Sequence, residues 1–502
     1  MNLPQVAPQS SIKPVGQLAL QSRLGLATTP LAVRSYIVSG ARQTREAKGV
    51  VDQLYPLRYQ PNDTAREHLR FALKYEPLNF LLLQAAFKSL GPDFIKEWMQ
   101  EEPTGQYSRR AWFLYESLTG EQLDLPAVKT GNYVDVIDER YQYALPGIDQ
   151  PRYRVRDNRV AEGSLAVTIR KTGVLADWEA RGLADEAGQV TKGYSEDILA
   201  RAVSFLYTRE TRSSFAIEGE VASANREERF FQALRNLPRF NVSKTSLISL
   251  QKDIVDPRYA ANDWRTVQNF VGETTRGFGE FVHYICPKPE DVPSLMNDWE
   301  VLSNRLLTSD LDPVLAAAIC AFVFVFIHPF EDGNGRIHRF LIHHILQKKG
   351  FSQPEVVLPV STAILRRKAE YEKVLEQFSR PLLALIQWRQ TEDGSVIVTG
   401  PTKDLYRFVD LTSQSEFLYG QVAEAIRVDF KEELAFLVVF DAARTAVREV
   451  VDLPDRRASL LIRLCLQNGG TLSKSKREDF PELTESELGA IGEAIRLTMI
   501  KK

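Results

Sequence analysis

Four side chains lie close together and carry most of the chemistry this sequence can offer. They are His328, Asp332, Arg336 and Arg339, in the run His328-Pro329-Phe330-Glu331-Asp332-Gly333-Asn334-Gly335-Arg336-Ile337-His338-Arg339. Histidine is the one side chain that titrates near neutrality unaided, so His328 is the candidate general base. Magnesium is usually held through one or two carboxylates together with phosphate oxygens, and Asp332 can supply such a carboxylate. Arg336 falls in or beside the first turn of a helix expected from about Gly335, and Arg339 lies three residues on along the same face. That placement is wrong for stability, because a helix N-terminus carries roughly half a positive charge and favours Asp and Glu. Two guanidiniums, a positive helix end and open backbone N–H groups make sense around a polyanion, and a triphosphate fits.

The elements that must position these groups are legible on either side. Val314 to Ile327 is uncharged, too short to span a bilayer and well suited to a buried helix. Pro329 disfavours the α region at His328 and so ends that helix. Gly333 and Gly335 let the backbone turn sharply, and the amphipathic segment Phe340 to Gln347 continues a second helix. The reading is helix, tight loop, helix.

Taken singly, each feature has an ordinary explanation: a His before a proline is usually structural, and Asp-Gly-Asn-Gly is usually a turn. Together, at this spacing, the run resembles the signature loop of the Fic family, HPFx(D/E)GNGRxxR, at every specified position. The resemblance implies roles for its residues. His328 would deprotonate the hydroxyl of a target side chain, Phe330 would anchor the loop, and Asp332 would bind Mg²⁺. Gly333, Asn334 and Gly335 would cradle the α- and β-phosphates, with Arg336 and Arg339 on the β- and γ-phosphates. The implied reaction is attack of a protein hydroxyl on the α-phosphate of ATP, leaving AMP on the protein. Members with Lys at the second loop glycine are kinases, and Gly335 points away from that branch.

Ser195 followed by Glu196 and Asp197 is a good helix start, and the segment runs to Ser214-Phe215-Ala216-Ile217-Glu218-Gly219. Its end resembles the family's inhibitory motif, (S/T)xxxE(G/N), in Ser214, Glu218 and Gly219. The resemblance implies that Glu218 pairs with Arg339 and silences the enzyme; the rival within the family is that Glu218 positions a water, so that the site removes AMP instead. Phe270 to Pro293 has Gly277-Phe278-Gly279 followed by alternating side chains, which suggests a β-hairpin or edge strand. In the family this is the flap that docks the target as an added strand, with Phe281, Tyr284 and Ile285 as docking residues. Cys286 and Lys288 stand where the family often has proline.

At 502 residues, with 44% hydrophobic and 25% charged content, this is an ordinary globular chain too long for one core. A net charge of −2 leaves no global basic field for nucleic acid or membranes. Cys286, Cys320 and Cys465 are far apart and make no metal or redox pair, and His338, His343 and His344 do not converge on a zinc. Met1 to Gly25 lacks an apolar run after its charges, so a cytoplasmic setting is expected.

Ala41 to Glu101 reads as helical, with Ala65 to Tyr75 capped by Asp63 or Thr64 and Leu78 to Leu90 broken at Gly91-Pro92. Arg109 to Leu118 is a third helix and Gly131 to Tyr143 is extended. Arg152 to Arg159 carries four arginines, read as a solvated or docking strand rather than an anion patch. Near the C-terminus, Gly469-Gly470-Thr471 and the basic run Ser473 to Arg477 resemble a winged-helix or helix-turn-helix unit. The expectation is a mainly α protein in three blocks. Residues 1–190 are an accessory, mostly helical domain, 191–390 a Fic core with inhibitory helix, flap and catalytic loop, and 391–502 a helical domain. The partners expected are ATP, Mg²⁺ and a target protein, with no membrane; a homodimer and nucleic acid stay open. The rival from another class is a DNA-binding regulator with the core as a nucleotide sensor.

Overall fold

The computed structural model describes residues 12–47, 49–274, 280–352, 356–392 and 394–500. The fold is mainly α, as the sequence implied, and it divides into two compact units that interleave along the chain. Unit one is Met1–Gly182, Ala222–Phe351 and Arg367–Gly420; unit two is Leu183–Val221, Ser352–Arg366 and Gln421–Lys502. These units cut across the blocks 1–190, 191–390 and 391–502.

Unit one is built around the helix Pro313–Ile327, in which every residue but Pro313 and Val325 is buried. Its start is fixed by Pro313 in the first turn and by the Asp312 carboxylate, which accepts from Val314 N (2.8 Å) and Leu315 N (3.3 Å). Cys320 is packing: burial pushes its thiol up to about 12, and its carbonyl accepts from Trp299 Nε1 (2.8 Å) on the neighbouring helix Val292–Thr308. The loop helix Asn334–Lys348 packs antiparallel beside it, through contacts such as Phe322 against His338 at 4.7 Å. Burial holds the His338 imidazole at about 3, so it is a neutral core histidine.

The N-terminal part of unit one departs from the helical reading. Lys13–Val15, Val33–Val38, Val50–Pro56 and Gln43–Ala47 form a four-stranded sheet in that spatial order, with Val33–Val38 parallel to Val50–Pro56. The β-branched Thr44, Val50 and Val51 fit a pleated surface, and Pro56 and Pro61 bar a helix across the region. The helix Ala65–Tyr75 is capped by Thr64, whose side chain accepts from Glu67 N. Phe80–Glu101 is kinked at Gly91, which takes φ 75 ahead of Pro92. The four arginines of 152–159 are occupied locally. Arg152 lies over Trp112 and donates to Glu116, Arg154 donates to the Gly131 carbonyl, Arg156 pairs with Asp135 and Arg159 with Asp157.

Unit two has no strand among its described residues. Its core joins the helices Lys431–Val450, Asp455–Gln467 and Glu485–Ile500 through Val447, Leu461, Ile462, Cys465, Ile491 and Ile495. The winged-helix expectation is therefore corrected in its wing. Gly469 and Gly470 both take positive φ (66 and 87) and Gly470 N donates to Cys465 O (2.7 Å), so the glycines close a helix instead of opening a hairpin. The basic run beyond pairs locally, Lys476 with Asp479 and Arg477 with Glu485. Among the described residues no helix is long and apolar enough to cross a membrane.

Candidate active site

The core helix ends at His328, which leaves the right-handed region for the left-handed one (φ 53, ψ 58) rather than the extended region expected before proline. It closes the helix as a left-handed cap, with its N–H donating to Phe324 O (2.9 Å). The side chain is half-buried, and its Nδ1 lies 3.1 Å from the Val325 carbonyl. A carbonyl only accepts, so Nδ1 carries the proton and Nε2 keeps its lone pair. Desolvation, helped by the nearby Arg265 guanidinium and opposed by Asp332, lowers the imidazole to about 4. His328 is thus a neutral base over the whole neutral range, not one poised at its own titration point.

The loop beyond it is held from inside. Phe330 is fully buried, 5.2 Å from Trp264 ring to ring. Asn334, expected at the phosphates, has its side chain engaged at both ends: Oδ1 accepts from Phe330 N (3.0 Å) and Nδ2 donates to Phe330 O (2.8 Å). What it offers a ligand is its backbone N–H at the helix start. Gly333 is the left-handed residue before that helix (φ 92), and a Cβ there would lie 2.9 Å from Val255 Cγ1. Gly335 is an ordinary helical residue, so its backbone freedom is not used in the turn.

Asp332 Oδ1 accepts from Gly333 N (2.6 Å) and from Arg336 Nη2 (2.6 Å); among the described residues Oδ2 has no hydrogen-bond partner. A single carboxylate with one open oxygen fits magnesium, which takes most of its ligands from phosphate and water. No group of three or more metal-binding side chains occurs among the described residues, so a cage of protein ligands is not what this site offers. Arg336 is fully buried and also donates to Ile254 O (3.2 Å), the last carbonyl of the helix Lys244–Ile254. As placed, it ties the loop to that helix as well as facing Asp332. Arg339 is buried one turn further along the loop helix.

Two positioning side chains carry no signature in the sequence. Gln251, fully buried, donates from Nε2 to Asp332 O (3.2 Å) and Tyr259 O (2.9 Å). Arg265 donates its Nε to His328 O (2.7 Å) and its backbone N–H to Pro329 O (2.9 Å). Both act on main-chain carbonyls of the loop from more than sixty residues away, so no local spacing announces them.

The flap is a hairpin. Phe270–Thr274 pairs antiparallel with Glu280–Ile285, with a register shift between Val271 and Gly272. Gly277, Phe278 and Gly279, read as the start of a β-hairpin or edge strand, lie outside the described residues. Of the proposed docking residues, Phe281 is about half exposed, whereas Tyr284 and Ile285 are buried at the hairpin's root. Tyr284 donates its hydroxyl to Phe326 O, and Tyr406 donates to Ile285 O (2.7 Å). Those two can meet a partner only through their main chain. Between flap and loop a cleft of about 280 Å³ is lined by Tyr259, Val267, Gln268, Asn269, Glu331 and Asp332. A larger cavity of about 980 Å³ in the same unit is lined by none of the loop residues.

In unit two the helix Glu196–Ile217 is capped by Ser195, whose side chain accepts from Ile198 N, and ends at Glu218. Arg209 pairs with Asp429 (2.8 Å), and Glu210 accepts from Ser361 N (2.8 Å). Ser214 is fully buried, Glu218 is exposed, and Gly219 turns with φ 73. A carboxylate at a helix C-terminus faces the negative end of the dipole, so Glu218 contributes nothing favourable to its own helix.

Residues 241–346 match the Fic/DOC family model. Over 107 residues, 21% of this chain and 18% of the relative, the sequence is 37% identical to the protein adenylyltransferase fic-1 of Caenorhabditis elegans. It is 24% identical over 305 residues to the protein adenylyltransferase Fic of Drosophila grimshawi, covering 59% of this chain and 56% of that one. The chain thus spans 18 to 56% of the length of these relatives. The structure of a Fic family protein from Desulfovibrio desulfuricans aligns with TM-score 0.37 and 22% identity, over 63% of this chain and 86% of that one. The histidine, the loop and the two helices that carry them all lie inside or border the segment that is similar to the Fic/DOC family.

Proposed function

We propose that this protein transfers AMP from ATP to a hydroxyl side chain of a target protein. One observation carries the reading: Nδ1 of His328 donates to Val325 O, which leaves Nε2 as an unprotonated base in the loop before a helix whose N-terminus has no side-chain cap. Nε2 takes the proton of the target hydroxyl; that oxygen attacks the α-phosphorus, and the bond to the bridging oxygen breaks so that pyrophosphate leaves with the electron pair. The backbone N–H groups from Asn334 to Arg336, with Arg336 and Arg339, hold the phosphates. Asp332 would hold the magnesium that accompanies them, which when bound would supply positive charge to the phosphates. The flap edge Phe270–Thr274 and Glu280–Ile285 supplies main-chain partners for the target, and Phe281 an apolar contact. The relatives' names support the same chemistry.

Glu218 is the brake in this proposal. It keeps the nucleotide from settling in line, and a misplacement of about 1 Å can cost on the order of a hundredfold in rate. The test is incubation of wild type and Glu218→Gly with lysate, ATP and Mg²⁺, reading protein-bound AMP. Glu218→Gly should raise the signal about tenfold or more, a fraction of that misplacement cost. A Glu218→Gly protein as silent as wild type contradicts the brake. Wild type that instead strips AMP from a modified protein, with Glu218→Gly unable to, establishes AMP removal in its place.

A further inference from the structure

We propose that Arg265 is the positioning residue that aims His328, coupling the direction of the base to the root of the flap. The inference rests on the reading of His328 as the base.

Arg265 is buried, with 4% of its surface exposed, and among the described residues it has no carboxylate partner. A buried guanidinium without a counter-ion loses its hydration and gains no ion pair, and burial lowers its affinity for its own proton. Packing alone does not account for it. All four of its nitrogens donate to main-chain carbonyls, which lie on three separate segments. The backbone N–H reaches Pro329 O (2.9 Å), Nε reaches His328 O (2.7 Å), Nη1 reaches Val267 O (2.9 Å) and Nη2 reaches Pro287 O (2.6 Å).

Those carbonyls are not interchangeable. His328 is one of two non-glycine residues described with positive φ, a conformation that costs on the order of 1–3 kcal/mol and persists only where its surroundings over-determine it. Arg265 holds the carbonyl of the strained residue and the next one, while the imidazole reaches back to Val325 O on the other side. Nη1 and Nη2 meanwhile hold the strip leading into the first flap strand and the chain leaving the second. The same strip adds further ties: Gln268 Nε2 donates to Cys286 O (2.8 Å), and Cys286 N to Asn269 O (3.1 Å). One planar fork therefore fixes the turn that points the base and the hairpin beside which a target hydroxyl must arrive. A lysine, with a single nitrogen and no fork, cannot span these acceptors.

The test uses the full chain carrying Glu218→Gly, with Arg265→Lys and Arg265→Gln added separately; Lys keeps the charge and Gln keeps a planar donor. Three quantities are read: ATP affinity by calorimetry, single-turnover AMP transfer at saturating ATP, and the His328 tautomer by nitrogen NMR of the imidazole, assigned with His328→Gln. The expected result is transfer lower by about a hundredfold with ATP affinity changed less than about threefold, because the base is misaimed and the phosphate site is not. The His328 ring should also lose its single Nδ1–H form. The inference is overturned if both folded variants transfer like the parent, if rate and affinity fall together, or if the tautomer is unchanged. A parent that transfers no AMP speaks against the transferase reading, and the tautomer then still decides the role of Arg265.

Discussion

At the residue scale the account turns on one ring. The motif identifies His328, but not which nitrogen acts or at what proton affinity; both come from a half-buried cap whose Nδ1 meets a carbonyl. Because desolvation holds the free imidazole near 4, kcat/KM for AMP transfer should stay level from pH 8 down to about 6 and fall only well below that, since this ratio reports the free enzyme's base. A half-maximal point at 6.5 or above in a pH profile contradicts the assignment of the environment. His328→Ala should lower transfer by roughly two to four orders of magnitude while ATP binding, followed by calorimetry, stays nearly intact. Asp332→Ala should weaken the Mg²⁺ dependence of ATP binding; magnesium titrations superimposable on wild type would remove Asp332 as the ligand. Asn334 marks the limit of reading a motif by residue type. Its side chain braces Phe330 on both sides, a use that depends on loop closure and not on spacing.

At the scale of elements, the helix–loop–helix was legible because apolar run, proline and glycines punctuate it within one local stretch. The flap hairpin was legible because alternation and glycines bracket it. The parts that escaped act over distance. Gln251 and Arg265 bond to carbonyls, which every residue has, so nothing in the loop's sequence points back to them. The N-terminal sheet was missed because polar and charged residues such as Gln43, Arg45, Glu46, Asp52 and Gln53 blur the alternation of its strands, and its helical neighbours are strongly periodic. Gly333 offers a test of loop shape independent of charge. Gly333→Ala combines a left-handed backbone with a Cβ placed 2.9 Å from Val255, so it should destabilise the loop by about 1–3 kcal/mol and reduce transfer. Wild-type melting and activity in this variant would mean that the turn is not tight.

At the scale of the whole molecule, the chain divides into two units, with the loop in unit one and Glu218 in unit two. Unit one also holds several groups whose protonation is shifted by burial. His328, His338 and His344 are lowered to about 4, 3 and 4, so below pH 6.5 the unfolded chain binds protons that the folded one refuses, and acid destabilises the fold. Glu76 is raised to about 7, so between about 4.5 and 7 the folded state takes the extra proton and acid stabilises it. Three histidines outweigh Glu76 and the more weakly opposing Asp253 and Asp291, which burial also raises, and unit one should lose roughly 2 kcal/mol per pH unit between pH 6 and 5. Glu76→Gln removes one opposing group, and the loss, followed by denaturant melts at several pH values, should steepen. A melt that strengthens on acidification contradicts the neutral burial of the histidines.

The central claim, that His328 drives transfer of AMP, is tested most directly by which phosphate of ATP reaches protein. Glu218→Gly and Glu218→Gly/His328→Ala are each incubated with lysate, Mg²⁺ and ATP labelled either at the α- or at the γ-phosphate. The account predicts protein-bound label from α-labelled ATP alone, absent in the double variant. Label arriving from the γ-phosphate, or α-label that persists without His328, contradicts it.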